Sequence, residues 1–225
     1  MIRKLLTALS VSAVFLIASC TDGTVKTRAR TSRPDPSWVT AISLHSNGAI
    51  SRHSPIRVLF TSDVIAAERV GADASANIRI QPAVKSRAVF ASRREIVLRP
   101  ETEFAPGTAY RLQVLAQGLT GVTADARPFD FEVTTLGVNF DVRTYGLEVE
   151  YERNELMTLR GSIMTADSEK RELVEKIIKA TLDGKPVAMT WDAGERQYNF
   201  TIHDIVRKKE EQELVVAWNG APLGL

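Results

Sequence analysis

Phe129, Phe131 and Val133 alternate with Asp130, Glu132 and Thr134, and the same period of two returns along most of the chain after Trp38. In a strand, successive side chains point to opposite faces, so such alternation describes a ribbon with one buried and one wet face. Ile56, Val58 and Phe60 follow the pattern, as do Ile78 and Ile80, and then Tyr110, Leu112 and Val114. Turn signals separate the runs: Ser46-Asn47-Gly48, Ser54-Pro55, Arg99-Pro100 and Pro106-Gly107. Short half-buried strands at this spacing predict antiparallel sheets stacked into a sandwich or barrel.

The second half repeats the habit. Leu147, Val149 and Tyr151 alternate with three glutamates, while Met157, Leu159 and Ile163 share a face across Gly161. Asp183-Gly184 stands between Leu182 and the run Val187-Met189-Trp191, the composition of a two-residue hairpin. Tyr198, Phe200 and Ile202 form another run, and Leu214, Val216 and Trp218 the last. Between Ser168 and Leu182 the spacing fits either period. A loop or single helical turn to about Leu173, then a strand to Leu182, is the favoured division. Two β-sandwich modules are expected, 38–136 and 137–225, with a border near Leu136-Gly137 too short for much hinge freedom.

The N-terminus has another character. Arg3 and Lys4 precede an apolar run from Leu5 to Ala18, then Ser19 and Cys20, the only cysteine. This is the charged, apolar, small-residue order of a secretory signal, and the run is shorter than the roughly 20 residues of a spanning helix. Ile17-Ala18-Ser19-Cys20 resembles the lipobox of bacterial lipoproteins. The resemblance implies cleavage of residues 1–19 after Ser19 and acylation of Cys20, leaving a protein held to the bacterial cell envelope by lipid. Thr21, in place of an aspartate after the cysteine, implies the outer membrane. Residues 20–37 read as the lipidated cysteine and a flexible tether: four basic residues alternate with small ones, Pro34 and Pro36 close the segment, and too little apolar area is present to offset ordering entropy.

Charge names no partner. The formal net charge is +2, and Arg3 and Lys4 account for it. A neutral exported chain argues against nucleic acid. Nothing in the sequence predicts catalysis or a cofactor. His45, His53 and His203 lack metal-ligand spacing, although His45 and His53 could meet across a hairpin. No Gly-x-Ser-x-Gly, phosphate-cradling loop or calcium loop occurs. Asn199-Phe200-Thr201 spells a sequon inside a strand, and Arg207 to Gln212 reads as a solvated hairpin tip.

Two longer stretches carry a wider likeness. Gly48 to Phe60, Leu98-Arg99-Pro100 and Phe104 to Tyr110 resemble a bacterial Ig-like domain. Leu159 to Asp167, Val174-Glu175-Lys176, Trp191, Phe200-Thr201-Ile202, Arg207, Val216 to Gly220 and Gly224 are similar to the macroglobulin-like modules at the front of bacterial alpha-2-macroglobulin-like lipoproteins. That family traps proteases, and many members do so through a Cys-x-Glu-Gln thioester, which this sequence lacks. The fold class implied is all-β: two tandem antiparallel Ig-like β-sandwich domains after a signal peptide and flexible tether, the second lacking its closing strand. The role implied is non-catalytic anchoring and spacing at the N-terminal end of a protease inhibitor. Its partners would be the membrane, through the lipid on Cys20, and host or competitor proteases, engaged by downstream domains. The alternative is a surface adhesin or glycan-binding lipoprotein, favoured by an exposed aromatic platform such as a pair among Trp38, Trp191 and Trp218.

Overall fold

A computed structural model describes residues 34–225. The signal segment, the expected cleavage after Ser19, the lipidation of Cys20 and most of the tether lie outside the described residues. Among those described, no helix is long and apolar enough to cross a membrane.

The described chain opens on a short helix, α1 (Pro36–Ala41), so Pro36 and Ser37 belong to the folded module and not to the tether. Pro36 suits the first turn, where its missing N–H costs nothing, and the Asp35 carboxylate caps the turn by accepting from the Ser37 N–H. Trp38 is fully buried, and its indole N–H donates to the Arg127 carbonyl at 2.7 Å.

Eight strands follow: β1 (Ile42–His45), β2 (Gly48–Ile50), β3 (Ile56–Phe60), β4 (Ile78–Gln81), β5 (Ser86–Ser92), β6 (Glu95–Pro100), β7 (Ala109–Val114) and β8 (Phe129–Thr135). They form two four-stranded sheets, ordered β1-β3-β6-β5 and β2-β8-β7-β4. The alternating residues fill the space between them: Ile56, Val58, Phe60, Tyr110, Leu112, Val114, Phe131 and Val133 are all buried. Asn47-Gly48 is not a hairpin turn. There the chain leaves β1, which pairs antiparallel with β3, and enters β2, which pairs parallel with β8 in the other sheet. Gly48 takes a φ of +65°, a conformation open to glycine, at this change of sheet. Pro106-Gly107 does turn the chain, and the Tyr110 hydroxyl fastens it by accepting from the Ala105 N–H at 2.9 Å.

The second module is also a sandwich. Its strands are β9 (Phe140–Glu150), β10 (Arg153–Thr165), β11 (Ile178–Leu182), β12 (Lys185–Pro186), β13 (Thr190–Ala193), β14 (Gln197–Val206) and β15 (Leu214–Trp218). One sheet runs β13-β14-β10-β9 and the other β12-β11-β15. One helical turn, α2 (Arg171–Val174), precedes β11, as the mixed spacing suggested. Asp183-Gly184 is the two-residue turn of the β11–β12 hairpin, with φ of +52° and +76°. The run Val187-Met189-Trp191 is not one strand: β12 stops at Pro186, which has no N–H for the ladder, and β13 starts in the other sheet. Arg207 to Glu211 are exposed and Gln212 is half-buried, but the segment joins β14 to β15 across sheets and is not a hairpin tip.

Leu147, Val149 and Tyr151 depart from the expected pattern: they are largely exposed. The β9–β10 hairpin is 11 and 13 residues long, whereas no strand of the facing sheet exceeds five. Among the described residues, no strand of the facing sheet is long enough to cover its far end.

Candidate functional site

The two modules have separate apolar cores, one gathered around Trp38, Phe60, Phe90 and Tyr110, the other around Ile163, Ile177, Phe200 and Ile202. An ionic cluster crosses between them. Arg52, in the loop between β2 and β3, is 6% exposed although its guanidinium is charged at any accessible pH. Burial of such a charge is tolerable only with carboxylate partners and filled hydrogen bonds.

The partners come from the second module, immediately after β10. The Arg52 backbone N–H donates to Asp167 Oδ2 at 2.7 Å, and its Nε lies 3.4 Å from the same oxygen. Nη2 donates to Glu169 Oε1 at 2.7 Å and to the Ser168 carbonyl at 3.3 Å. Within the first module, Glu103 Oε2 lies 4.0 Å from Nη1. Asp167 and Glu169 are themselves nearly buried, with side chains 4% and 9% exposed. The Glu169 carbonyl accepts from the Tyr198 hydroxyl at 2.6 Å, which ties the cluster to the second core. His53 stands at the edge, its Nε2 3.1 Å from the Ser168 carbonyl and 3.7 Å from Glu103.

The electrostatics are those of a matched set. Burial works against the Arg52 charge, but hydrogen bonding to Glu169 and the negative charges of Glu169 and Glu103 outweigh it and raise the pKa. Burial would likewise raise the pKa of Asp167. Hydrogen bonds from the Arg52 N–H, the Ser51 hydroxyl, the Ser168 N–H and the guanidinium bring it below the usual aspartate value. Above the cluster opens a cleft of about 300 Å³, walled by His53, Glu103, Lys170, Leu173, Pro222 and Leu223. The chemistry of this arrangement is clamping: the short distances in it are between ionic partners already satisfied.

Nothing local in the sequence marks this cluster. Arg52 and Asp167 both lie in the stretches that carry the family likeness, but 115 residues separate them and no local pattern pairs them. The residues that the sequence does mark are dispersed. His45 packs its ring against Phe131 at 4.7 Å, far from the Ser168 contact of His53, so the two do not meet across a hairpin. His203 lies beside Thr190 at 3.0 Å. Among the described residues no group of three His, Cys, Asp or Glu side chains is placed to hold a metal ion. Trp38 is core, Trp191 packs on Phe200 at 5.6 Å, and the exposed Trp218 lies in the other sheet, so no two of them form a platform.

No family model matches the chain, and no curated protein matches it. Among solved structures it is similar to L,D-transpeptidase 3 from Mycobacterium tuberculosis, with 12% identity, a TM-score of 0.29, and 53% of this chain and 44% of that chain covered. It is similar to an L,D-transpeptidase from Mycobacterium smegmatis at 14% identity and a TM-score of 0.31, covering 74% of this chain and 75% of that one. An S-layer protein aligns at 12% identity and a TM-score of 0.25, covering 78% of this chain and 32% of that chain. The chain thus spans less than half of the first of these enzymes. At such scores the likeness assigns neither family nor activity.

Proposed function

We propose that this chain is a non-catalytic, lipid-anchored envelope protein whose two sandwiches act as one rigid spacer. In the reading that the sequence likeness supports, it is the membrane-proximal part of an alpha-2-macroglobulin-like protease inhibitor. The observation that carries the spacer role is the buried Arg52–Asp167–Glu169 cluster. Arg52 is held at fixed positions by three groups of the second module, Asp167, Ser168 and Glu169, and a linkage that let the modules swing would not keep those contacts or the burial of the guanidinium, so the modules move together. The anchor rests on Ile17-Ala18-Ser19-Cys20. Trp38 supports the order of parts: it pins the chain into the first sandwich directly after the expected tether. Fully extended, the 15 residues from Thr21 to Asp35 reach at most about 54 Å from the lipid.

Detergent partitioning tests the anchor. The wild-type protein should enter the detergent phase, and Cys20→Ser should remain unprocessed or appear in the aqueous phase. Wild type and mutant both in the aqueous phase would remove the lipoprotein reading. The inhibitor reading is tested separately in the coding DNA: an open frame running on past codon 225 to a Cys-x-Glu-Gln tetrapeptide supports it, and a stop codon there weakens it.

A further inference from the structure

On the wet face of the first module, β4 and β7 present a regular array of planar polar side chains. Their register places Arg79 opposite Gln113 and Gln81 opposite Arg111, so guanidinium and amide groups alternate in both directions. These four line a hollow of about 410 Å³ together with Ile80, Pro82 and Ala83. The neighbouring strand β8 orients the array from the side. The Asp130 carboxylate on β8, with a side chain only 16% exposed, accepts from Gln113 Nε2 at 2.9 Å and from Arg111 Nε at 3.3 Å through one oxygen. That leaves the two terminal nitrogens of Arg111 and the amide oxygen of Gln113 directed at no partner among the described residues. Arg79 has no carboxylate within ion-pair distance among the described residues. Glu132, opposite Arg111 on β8, lies outside the hollow.

We propose that this hollow is a binding site for an acidic polysaccharide, one whose sugar rings carry carboxylates. The guanidinium of Arg79 and the two terminal nitrogens of Arg111, whose Nε is paired with Asp130, match carboxylates, which such forks bind bidentately. The two glutamine amides each offer donors and an acceptor, which is what sugar hydroxyls require, since each hydroxyl both donates and accepts. Asp130 holds one side of Arg111 and of Gln113, which fixes where their remaining polar atoms point. Asp130 is a positioning residue here. The site does not depend on the anchor or on the inhibitor reading, since it lies wholly within the first sandwich.

Polygalacturonate is the probe, titrated by calorimetry into the full-length chain in detergent micelles. The proposal requires binding that weakens with salt and disappears with the methyl-esterified polymer. Arg79→Gln with Arg111→Gln should lower affinity roughly tenfold or more, the scale of losing charge-assisted hydrogen bonds, with an unchanged melting temperature. Asp130→Asn should lower it less and leave the fold intact. Arg87→Gln with Arg99→Gln, an exposed pair on the opposite sheet, should leave it unchanged. No binding, equal binding of the esterified polymer, or equal loss in the Arg87/Arg99 variant would each overturn the site. So would binding that appears only with phosphatidylglycerol vesicles, which would make the array a lipid-headgroup contact.

Discussion

At the scale of single residues, Arg52 and Gly161 are the positions that leave least freedom. Replacing Arg52 by Met keeps its length but strands Asp167 and Glu169 as unpaired charges in a nearly dry place. A loss of roughly 3–5 kcal/mol is expected from breaking such a buried set. Scanning calorimetry checks it: the wild type should unfold in one transition, and the variant in two, one for each sandwich. Gly161 sits in β10 directly beneath Phe200. A Cβ there would lie 2.3 Å from the Phe200 ring and 2.6 Å from the Arg143 carbonyl oxygen. The ring can shift, but the backbone oxygen of the neighbouring strand cannot without breaking the ladder. Gly161→Ala should therefore destabilise the second sandwich by about 1–3 kcal/mol, seen as a lower melting temperature for that module alone.

At the scale of elements, the outer strands of the second module differ in how they are guarded. An edge strand offers unpaired N–H and C=O groups to any other strand, and charges or proline normally discourage that. β9 carries Asp141, Arg143, Glu148 and Glu150; β12 is Lys185-Pro186; β13 has Asp192. β15, Leu-Val-Val-Ala-Trp, has none, and Val215 and Trp218 are 41% and 55% exposed. Association through this edge at high concentration is expected, and Val215→Lys should shift the chain toward monomer in sedimentation velocity without lowering its melting temperature. Sedimentation unchanged by that lysine would place any association elsewhere. The amides of β15 should also exchange with solvent faster than those of β3, which has a partner strand on each side.

At the scale of the whole molecule, the ionic join makes the coupling of the modules sensitive to acid. The Asp167 carboxyl is held below the usual range. As pH falls, the unfolded chain takes up this proton before the folded one does. The stability Asp167 supplies is therefore complete above the ordinary aspartate pKa of about 3.9 and is lost as the pH falls through its lower folded value. Arg52 stays charged throughout, so protonating Asp167 leaves the guanidinium short of a partner. Calorimetry at neutral pH should show one transition that splits in two below the normal aspartate range. Identical coupling on both sides of that range would mean that apolar contacts hold the modules together. Small-angle scattering on the same samples should show a longer, more variable particle once the join is lost.

The period-two runs by themselves determined the all-β class and most strand positions, because alternation reports only which side of a ribbon faces water. Turn residues located Pro106-Gly107 and Asp183-Gly184 for the same reason: a left-handed φ or a missing N–H is a local constraint. What a strand pairs with is not local. The change of sheet at Asn47-Gly48, the parallel β2–β8 pair and the crossing from β14 to β15 depended on which distant edges were open. The exposed end of the β9–β10 hairpin has the same alternation as a buried strand, and only the length of the facing sheet decides its burial. The array on β4 and β7 was visible as alternating polar positions, but its diagonal order came from register. No pattern in the sequence sets Arg52, Asp167 and Glu169 apart from the other charged residues. The tertiary structure alone brought them together, because their energy depends on mutual distance and exclusion of water, and neither is written in any one segment.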